Sequence, residues 1–338
     1  MSSSASALKL FDLTQSHRIT AVIYVAAKLG IAELLRNGPK SSSELAEATG
    51  ADRQALGRLM VALTTVGICS RAGADCYSLT ETGAALDGAA ENSFKAWAIL
   101  EGEMLSKSWN GMLETIMTGK TAAHLLGARN SFDLMARTPA NVGLFNAAMA
   151  DLTRLVTPAV LGAYDFGRID RLMDVGGGSG ELLGAVAGKY PRLRGIVFDL
   201  PRCEEAATRH LERAGVSDRT SFTAGDFFEA IPSLADALIL KSIIHDWNDE
   251  RSSVILRNCC RALPQNGTLL LVERMMPELP GTSGEDRATA LSDLNMLRGP
   301  GGLERTEQQY RHLLNESGFD PVAVFPAGRF SVIEARVR

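Results

Sequence analysis

The segment Leu172-Met173-Asp174-Val175-Gly176-Gly177-Gly178-Ser179-Gly180-Glu181-Leu182-Leu183 constrains this chain more than any other. Apolar residues and Asp-Val lead into five small residues, after which an apolar helical spacing begins. The spacing predicts a strand, a tight glycine turn and a helix N-terminus. Glycines at such a turn let the backbone approach a ligand that a side chain would push away. A chain built this way is expected to form an open, largely parallel sheet that holds a nucleoside-containing cofactor.

The region from about 168 to 338 supports that expectation. Candidate strands are Arg171–Val175, Arg194–Asp199, Thr220–Thr223, Ala237–Lys241 and Thr268–Glu273. Helical spacings at 181–190, 202–214 and 249–263 lie between them. Strand alternating with helix implies parallel pairing with right-handed crossovers. Two last runs, 321–325 and 329–335, predict a terminal hairpin on the sheet edge. The fold class is α/β, a Rossmann-like doubly wound sheet preceded by a mainly helical, winged-helix region.

That preceding region shows helical signals from about residue 8 to 165. Ile19, Val22, Ile23 and Ala26 fall on one helix face, as do Val142, Phe145, Met149, Leu152 and Val156. Ser41 to Glu44 forms a helix start, and Asp52 caps a second helix whose inner face carries Leu56, Leu59, Met60 and Leu63. Residues 67–70 and 76–80 read as a two-stranded wing. A winged helix can bind DNA, but the helix from Asp52 to Val66 carries only Arg53 and Arg58 as cations. Phosphate neutralisation needs more. A contact module for a homodimer, covering one side of a pocket, is the better reading. The expected division is 1–95 for this module, 96–165 for a helical lid, and 166–338 for the cofactor-binding domain.

Composition removes other classes. The 338 residues are 46% hydrophobic, and 35 basic against 39 acidic residues give a net charge of −4. No global basic field points to nucleic acid or an anionic membrane. No apolar run approaches the roughly 18–20 residues that cross a bilayer. The first residues lack a secretory pattern. Five cysteines without a C-x-x-C spacing read as reduced thiols, and the chain is expected in the cytoplasm.

The cofactor motifs recur at predicted strand ends. Asp199 ends the second strand of the sheet, 25 residues after Asp174, where a carboxylate can accept from ribose hydroxyls. Gly225-Asp226-Phe227 follows the third, with Asp226 suited to an adenine amino group and Phe227 to its ring. The glycine loop lacks the G-x-G-x-x-G register, because position 181 is Glu. A glutamate at that helix start would repel a pyrophosphate. A cofactor without phosphate fits better, and S-adenosylmethionine is one. His245 lies just past the fourth strand, Glu273 ends the fifth, and Glu304 opens a late helix.

Together the runs 174–180, Phe198-Asp-Leu-Pro, Gly225-Asp-Phe-Phe, His245-Asp-Trp and Gly301-Gly-Leu-Glu-Arg-Thr resemble the S-adenosylmethionine-dependent O-methyltransferases of the caffeate, hydroxyindole and bacterial polyketide type. Residues 26–35 and 77–83 resemble their dimerisation domain. The resemblance implies His245 as general base, with Glu273 and Glu304 holding its imidazole. It implies cofactor contacts from Asp174, Gly176, Gly178, Asp199, Leu200, Gly225, Asp226, Phe227, Lys241 and Ser242. Trp109, Phe145, Asn146, Met149, Asp246, Asn295, Met296 and Arg298 would line the acceptor site, although ordinary core burial competes for the apolar members. It implies no metal, and a small aromatic hydroxyl compound as methyl acceptor. Arg298 either pairs with an acidic group on that acceptor or is a solvated loop arginine. Relatives that N-methylate, decarboxylate or hydroxylate, and a winged-helix regulator without catalysis, are the alternatives.

Overall fold

The computed structural model describes residues 2–128, 130–136 and 138–338. The chain divides into two compact units, one of Met1–Asn110 with Pro139–Leu152, the other of Gly111–Thr138 with Thr153–Arg338.

The first unit contains the expected winged helix. Ser41 and Glu44 form a reciprocal capping box that starts the helix Ser42–Thr49, and Gly50 closes it in a left-handed conformation. The Asp52 carboxylate accepts from the Ala55 N–H at 2.8 Å and starts the helix Arg53–Thr65. Leu56, Met60 and Leu63 of that helix are buried with Leu45, Ala46 and Tyr77. The wing strands follow, and a short strand, β1 (Lys40–Ser41), joins them, so β2 (Cys69–Gly73) and β3 (Cys76–Leu79) form an antiparallel sheet in the order β1-β3-β2. Gly83 lies so near this sheet that a Cβ there would stand 1.9 Å from the Ile68 carbonyl oxygen. Leu8, Leu10, Phe11 and Leu13 on the first helix, Ser2–Thr14, are exposed.

The second unit is built on seven strands: β4 (Arg171–Val175), β5 (Arg194–Asp199), β6 (Thr220–Ala224), β7 (Ala237–Lys241), β8 (Thr268–Glu273), β9 (Phe319–Ala327) and β10 (Phe330–Val337). Their order is β6-β5-β4-β7-β8-β10-β9. The first five run parallel, and the terminal hairpin adds two antiparallel strands at the edge. Chain direction across the sheet reverses between β4 and β7, which is where an open α/β sheet presents its binding crevice.

Strand alternation divides the core in two. Leu172, Ile239, Leu270 and Val272 pack on one face with Leu182, Leu183 and Val186 of the helix Glu181–Lys189. Met173, Leu238, Leu240 and Leu271 pack on the other with Ile255, Leu256 and Cys259 of the helix Asp249–Ala262. Each fully buried aliphatic side chain contributes about 1.5–3 kcal/mol, so both faces anchor the strand ends that carry the site. Among the described residues, no helix is long and apolar enough to cross a membrane.

Candidate active site

The loop after β4 takes its shape from its glycines. Gly176, Gly178 and Gly180 have φ of 72°, 56° and 76°. A Cβ on Gly176 would lie 2.5 Å from Ile243, whereas one on Gly178 would meet no atom within 4 Å. Gly178 therefore borders open space at the carboxyl end of the sheet, and Gly176 must stay small for Ile243 to pack. Asp174 is buried beneath the loop. Burial raises its pKa to about 7, against the pull of the Lys241 ammonium. Burial likewise lowers the pKa of Lys241, while Asp174 and Glu273 oppose that shift.

Asp199 is tied to the loop. One carboxylate oxygen accepts from Gly178 N–H at 2.8 Å, and the other from Leu200 N–H at 2.6 Å and the Cys203 thiol at 3.5 Å. Each carboxylate oxygen offers more than one acceptor direction, so both remain able to receive hydroxyls. Asp226 accepts from Phe228 N–H at 2.8 Å, and Gly225 is required because a Cβ there would lie 2.4 Å from the Phe198 ring. Phe227 packs edge-on to Phe228, with ring centroids 4.9 Å apart. Ser242, just past β7, has φ of 54°. Non-glycine residues seldom take that conformation, and backbone strain of this kind gathers at functional sites.

Glu181 qualifies one step of the sequence argument. Its carboxylate is held by Arg154 at 2.9 Å and His210 at 3.3 Å. The Arg154 guanidinium answers its charge, while burial lowers the His210 pKa, and the repulsion of a phosphate is weakened by that arginine. The open edge at Gly178 and the acceptors of Asp199 and Asp226 carry the case for a nucleoside instead.

The third group surrounds His245. This residue lies in a 3-10 turn, Ile244–Asp246, directly after β7. Its Nδ1 stands 3.2 Å from Glu304 Oε1 and 3.7 Å from Glu273 Oε2, and its Nε2 stands 3.6 Å from Asp246 Oδ1. The two glutamates are held differently. Glu273 Oε1 accepts from Ile243 and Ile244 N–H at 3.1 and 2.8 Å, while Glu304 Oε1 accepts from Ser292 Oγ at 2.6 Å. Burial disfavours a charged imidazole here, but Glu273, Glu304 and Asp246 outweigh it and raise the His245 pKa to about 10. Burial raises Glu273 to about 7 and Asp246 to about 6. For Glu304 the His245 charge and the Ser292 hydrogen bond overcome burial, and its pKa is lowered.

Among the acceptor-site candidates, Asn295, Met296 and Arg298 lie on the helix Gly284–Arg298 of the second unit. Arg298 ends that helix, is 3% exposed and donates to Asn295 Oδ1, so it is not a solvated loop arginine. Trp109, Phe145, Asn146 and Met149 belong to the first unit, the last three on the helix Pro139–Ala163. Sequence reasoning gave no role to Ser292, Ser252 or Arg305. The run Gly301 to Thr306 held the available signal, because a Cβ on Gly302 would lie 2.0 Å from the His245 carbonyl oxygen.

Residues 109–320 match the family model of the O-methyltransferase domain, and residues 11–86 that of the O-methyltransferase dimerisation domain. The chain belongs to the O-methyltransferase family. It is 38% identical over 329 residues to the phenazine O-methyltransferase PhzM of Lysobacter antibioticus, covering 97% of this chain and 95% of that one. The human N-acetylserotonin methyltransferase, solved with S-adenosylmethionine, is similar at a TM-score of 0.90 and 25% identity, with 100% and 99% of the two chains covered. An O-methyltransferase of neocarzinostatin biosynthesis, solved with S-adenosylhomocysteine and 1,4-dihydroxy-2-naphthoic acid, is similar at 0.77 and 28%, covering 95% and 96%. The arrangement above sets a glycine loop and the carboxylates of Asp199 and Asp226 at the ends of β4, β5 and β6, and an imidazole among carboxylates beyond β7 and β8.

Proposed function

We propose that this O-methyltransferase moves a methyl group from S-adenosylmethionine to a hydroxyl of a small aromatic molecule, with His245 as general base. Bound S-adenosylmethionine supplies an electrophilic methyl group on a positively charged sulfur. Gly176, Gly178, Gly225 and Leu200 would border it with backbone. Asp199 would take its ribose hydroxyls, Asp226 its adenine amino group and Phe227 one face of the ring. Asp174, Lys241 and Ser242 would meet its amino-acid end.

The single observation that carries the catalytic reading is the contact of His245 Nδ1 with Glu304 at 3.2 Å. A carboxylate there holds the proton on Nδ1 and leaves Nε2 to accept. The acceptor hydroxyl would give its proton to Nε2 as its oxygen takes the methyl group, whose bond to sulfur breaks so that neutral S-adenosylhomocysteine leaves. A phenol, with pKa about 10, exceeds an ordinary histidine by about 3.5 units, or roughly 5 kcal/mol. The carboxylates around His245 raise its pKa to about 10 and remove most of that gap. General-base assistance of this kind is worth about 10²–10⁴-fold. Asp246 would share the acceptor hydroxyl beside Nε2. Asn295 and Met296 would line the aromatic body, and Arg298 would read an acidic substituent.

The match to a dimerisation domain and the exposed apolar residues of the first helix support a homodimer. The test of the activity is product analysis by mass spectrometry after incubation with S-adenosylmethionine and a panel of phenols that includes 1,4-dihydroxy-2-naphthoic acid. Gain of one O-methyl group on a panel member is the expected result. Methylation confined to amine acceptors in a parallel panel would overturn the choice of oxygen.

A further inference from the structure

The backbone beneath His245 is gripped by groups that take no part in the chemistry above. Arg305 is 1% exposed. Its Nη1 donates to the Ile244 carbonyl at 3.1 Å and its Nη2 to the Trp247 carbonyl at 2.8 Å. These carbonyls stand immediately before and immediately after the His245-Asp246 pair. Nε and Nη2 also reach Asp249 Oδ1 at 2.9 and 2.7 Å, which answers the buried charge. Ser252 Oγ reaches the same two carbonyls at 3.3 and 3.2 Å.

The segment that carries Arg305 closes on the turn from another direction. Leu303 N–H donates to the His245 carbonyl at 2.9 Å, and Gly302 lies against that carbonyl too closely for any side chain. One strip of chain, 302–305, thus delivers Glu304 to the imidazole and Arg305 to the backbone below it. A planar guanidinium spreads five donors over three nitrogens in a fixed fork that spans two carbonyls and a carboxylate, whereas a lysine ammonium offers three donors from a single nitrogen and fixes their spacing less well.

We propose that Arg305 is a positioning residue for methyl transfer, fixing the His245 turn so that Nδ1 stays on Glu304 and Nε2 faces the acceptor. This inference rests on the reading of His245 as the base. Misplacement of a catalytic group by about 1 Å can cost on the order of 100-fold in rate, so the turn is where a buried arginine has catalytic leverage.

The test uses the full-length R305K and R305M variants, labelled at histidine for NMR, with S-adenosylmethionine affinity measured by calorimetry. Both variants are expected to bind S-adenosylmethionine within about threefold of wild type, while His245 loses about tenfold or more of its proton affinity as its contact with Glu304 loosens. Turnover on 1,4-dihydroxy-2-naphthoic acid, read on the alkaline plateau where His245 is neutral in every variant, is expected to fall about 10-fold in R305K and about 100-fold in R305M. Wild-type titration of His245 in either variant overturns the inference. If R305M fails to fold, the titration in R305K decides alone. A parallel H245A variant separates the two readings: H245A that still turns over removes the base, whereas an unchanged His245 titration in R305K removes only the role of Arg305.

Discussion

At the scale of single residues, His245 sits among three carboxylates that are not equivalent. Glu304 accepts its Nδ1 proton at 3.2 Å, while Glu273, at 3.7 Å, spends one oxygen on two backbone N–H groups. A glutamine at 273 can still accept from those N–H groups, so E273Q removes mainly charge. E304Q removes charge and a charge-assisted hydrogen bond worth about 1.5–3 kcal/mol. Steady-state kinetics at alkaline pH are therefore expected to show a plateau at least about tenfold lower in E304Q than in E273Q; equal plateaus would contradict the asymmetry. The pH dependence has a definite sign. With its pKa raised to about 10, His245 carries a proton at neutral pH, and only the neutral imidazole accepts one. The value of kcat/KM on a phenol is expected to climb from pH 7 to pH 9, by up to about tenfold per unit. A flat profile over that range would contradict protonation of His245 as the limiting equilibrium. Both glutamates were legible only through the family resemblance. They lie far from His245 in sequence and meet it by sheet pairing and by docking of the 302–305 strip, neither of which leaves a local spacing.

At the scale of elements, the parallel sheet was readable because β4, β5, β7 and β8 carry apolar runs bounded by turn residues, while β6, Thr-Ser-Phe-Thr-Ala, lies between helical spacings. The bounds expected at β4, β5, β7 and β8 are those of the structure, and β6 extends one residue further, to Ala224. Two elements left no such signal. β1 is two residues long and exists only by pairing with β3, so no period of its own marks it. The π-helical turn Glu101–Leu105 interrupts a helical run where Gly102 lies against the Tyr24 ring, and its hydrogen-bond register is set by that packing. The glycine loop yields a sharper expectation. A Cβ on Gly178 meets nothing in the protein, so a valine there would enter the space proposed for the cofactor and strain a φ of 56°. G178V is expected to stay folded by circular dichroism and to lose about 100-fold or more in S-adenosylmethionine affinity by calorimetry. D199A is expected to lose about tenfold or more in the same measurement, since ribose loses its acceptor. Wild-type affinity in both would contradict the placement of the cradle.

At the scale of the whole molecule, the chain joins a winged-helix unit to a doubly wound sheet, and the winged-helix unit matches a dimerisation domain. Its second helix carries only Arg53 and Arg58 as cations, too few for phosphate neutralisation. The first helix of the chain, Ser2–Thr14, exposes Leu8, Leu10, Phe11 and Leu13, which a monomer in water would leave wet. Sedimentation of the full chain is expected to give a dimer, and placing aspartate at both Leu10 and Phe11 is expected to raise the monomer fraction. A monomer at every concentration in the wild type would contradict that use of the unit. The proposed chemistry turns on one side chain, His245. The deciding measurement pairs single-turnover methyl transfer to a phenolic acceptor with calorimetric binding of S-adenosylmethionine, in wild type and H245A. The expected result is affinity within about threefold of wild type and turnover reduced at least about 100-fold. Near-normal turnover by H245A with S-adenosylmethionine still bound would contradict His245 as the base.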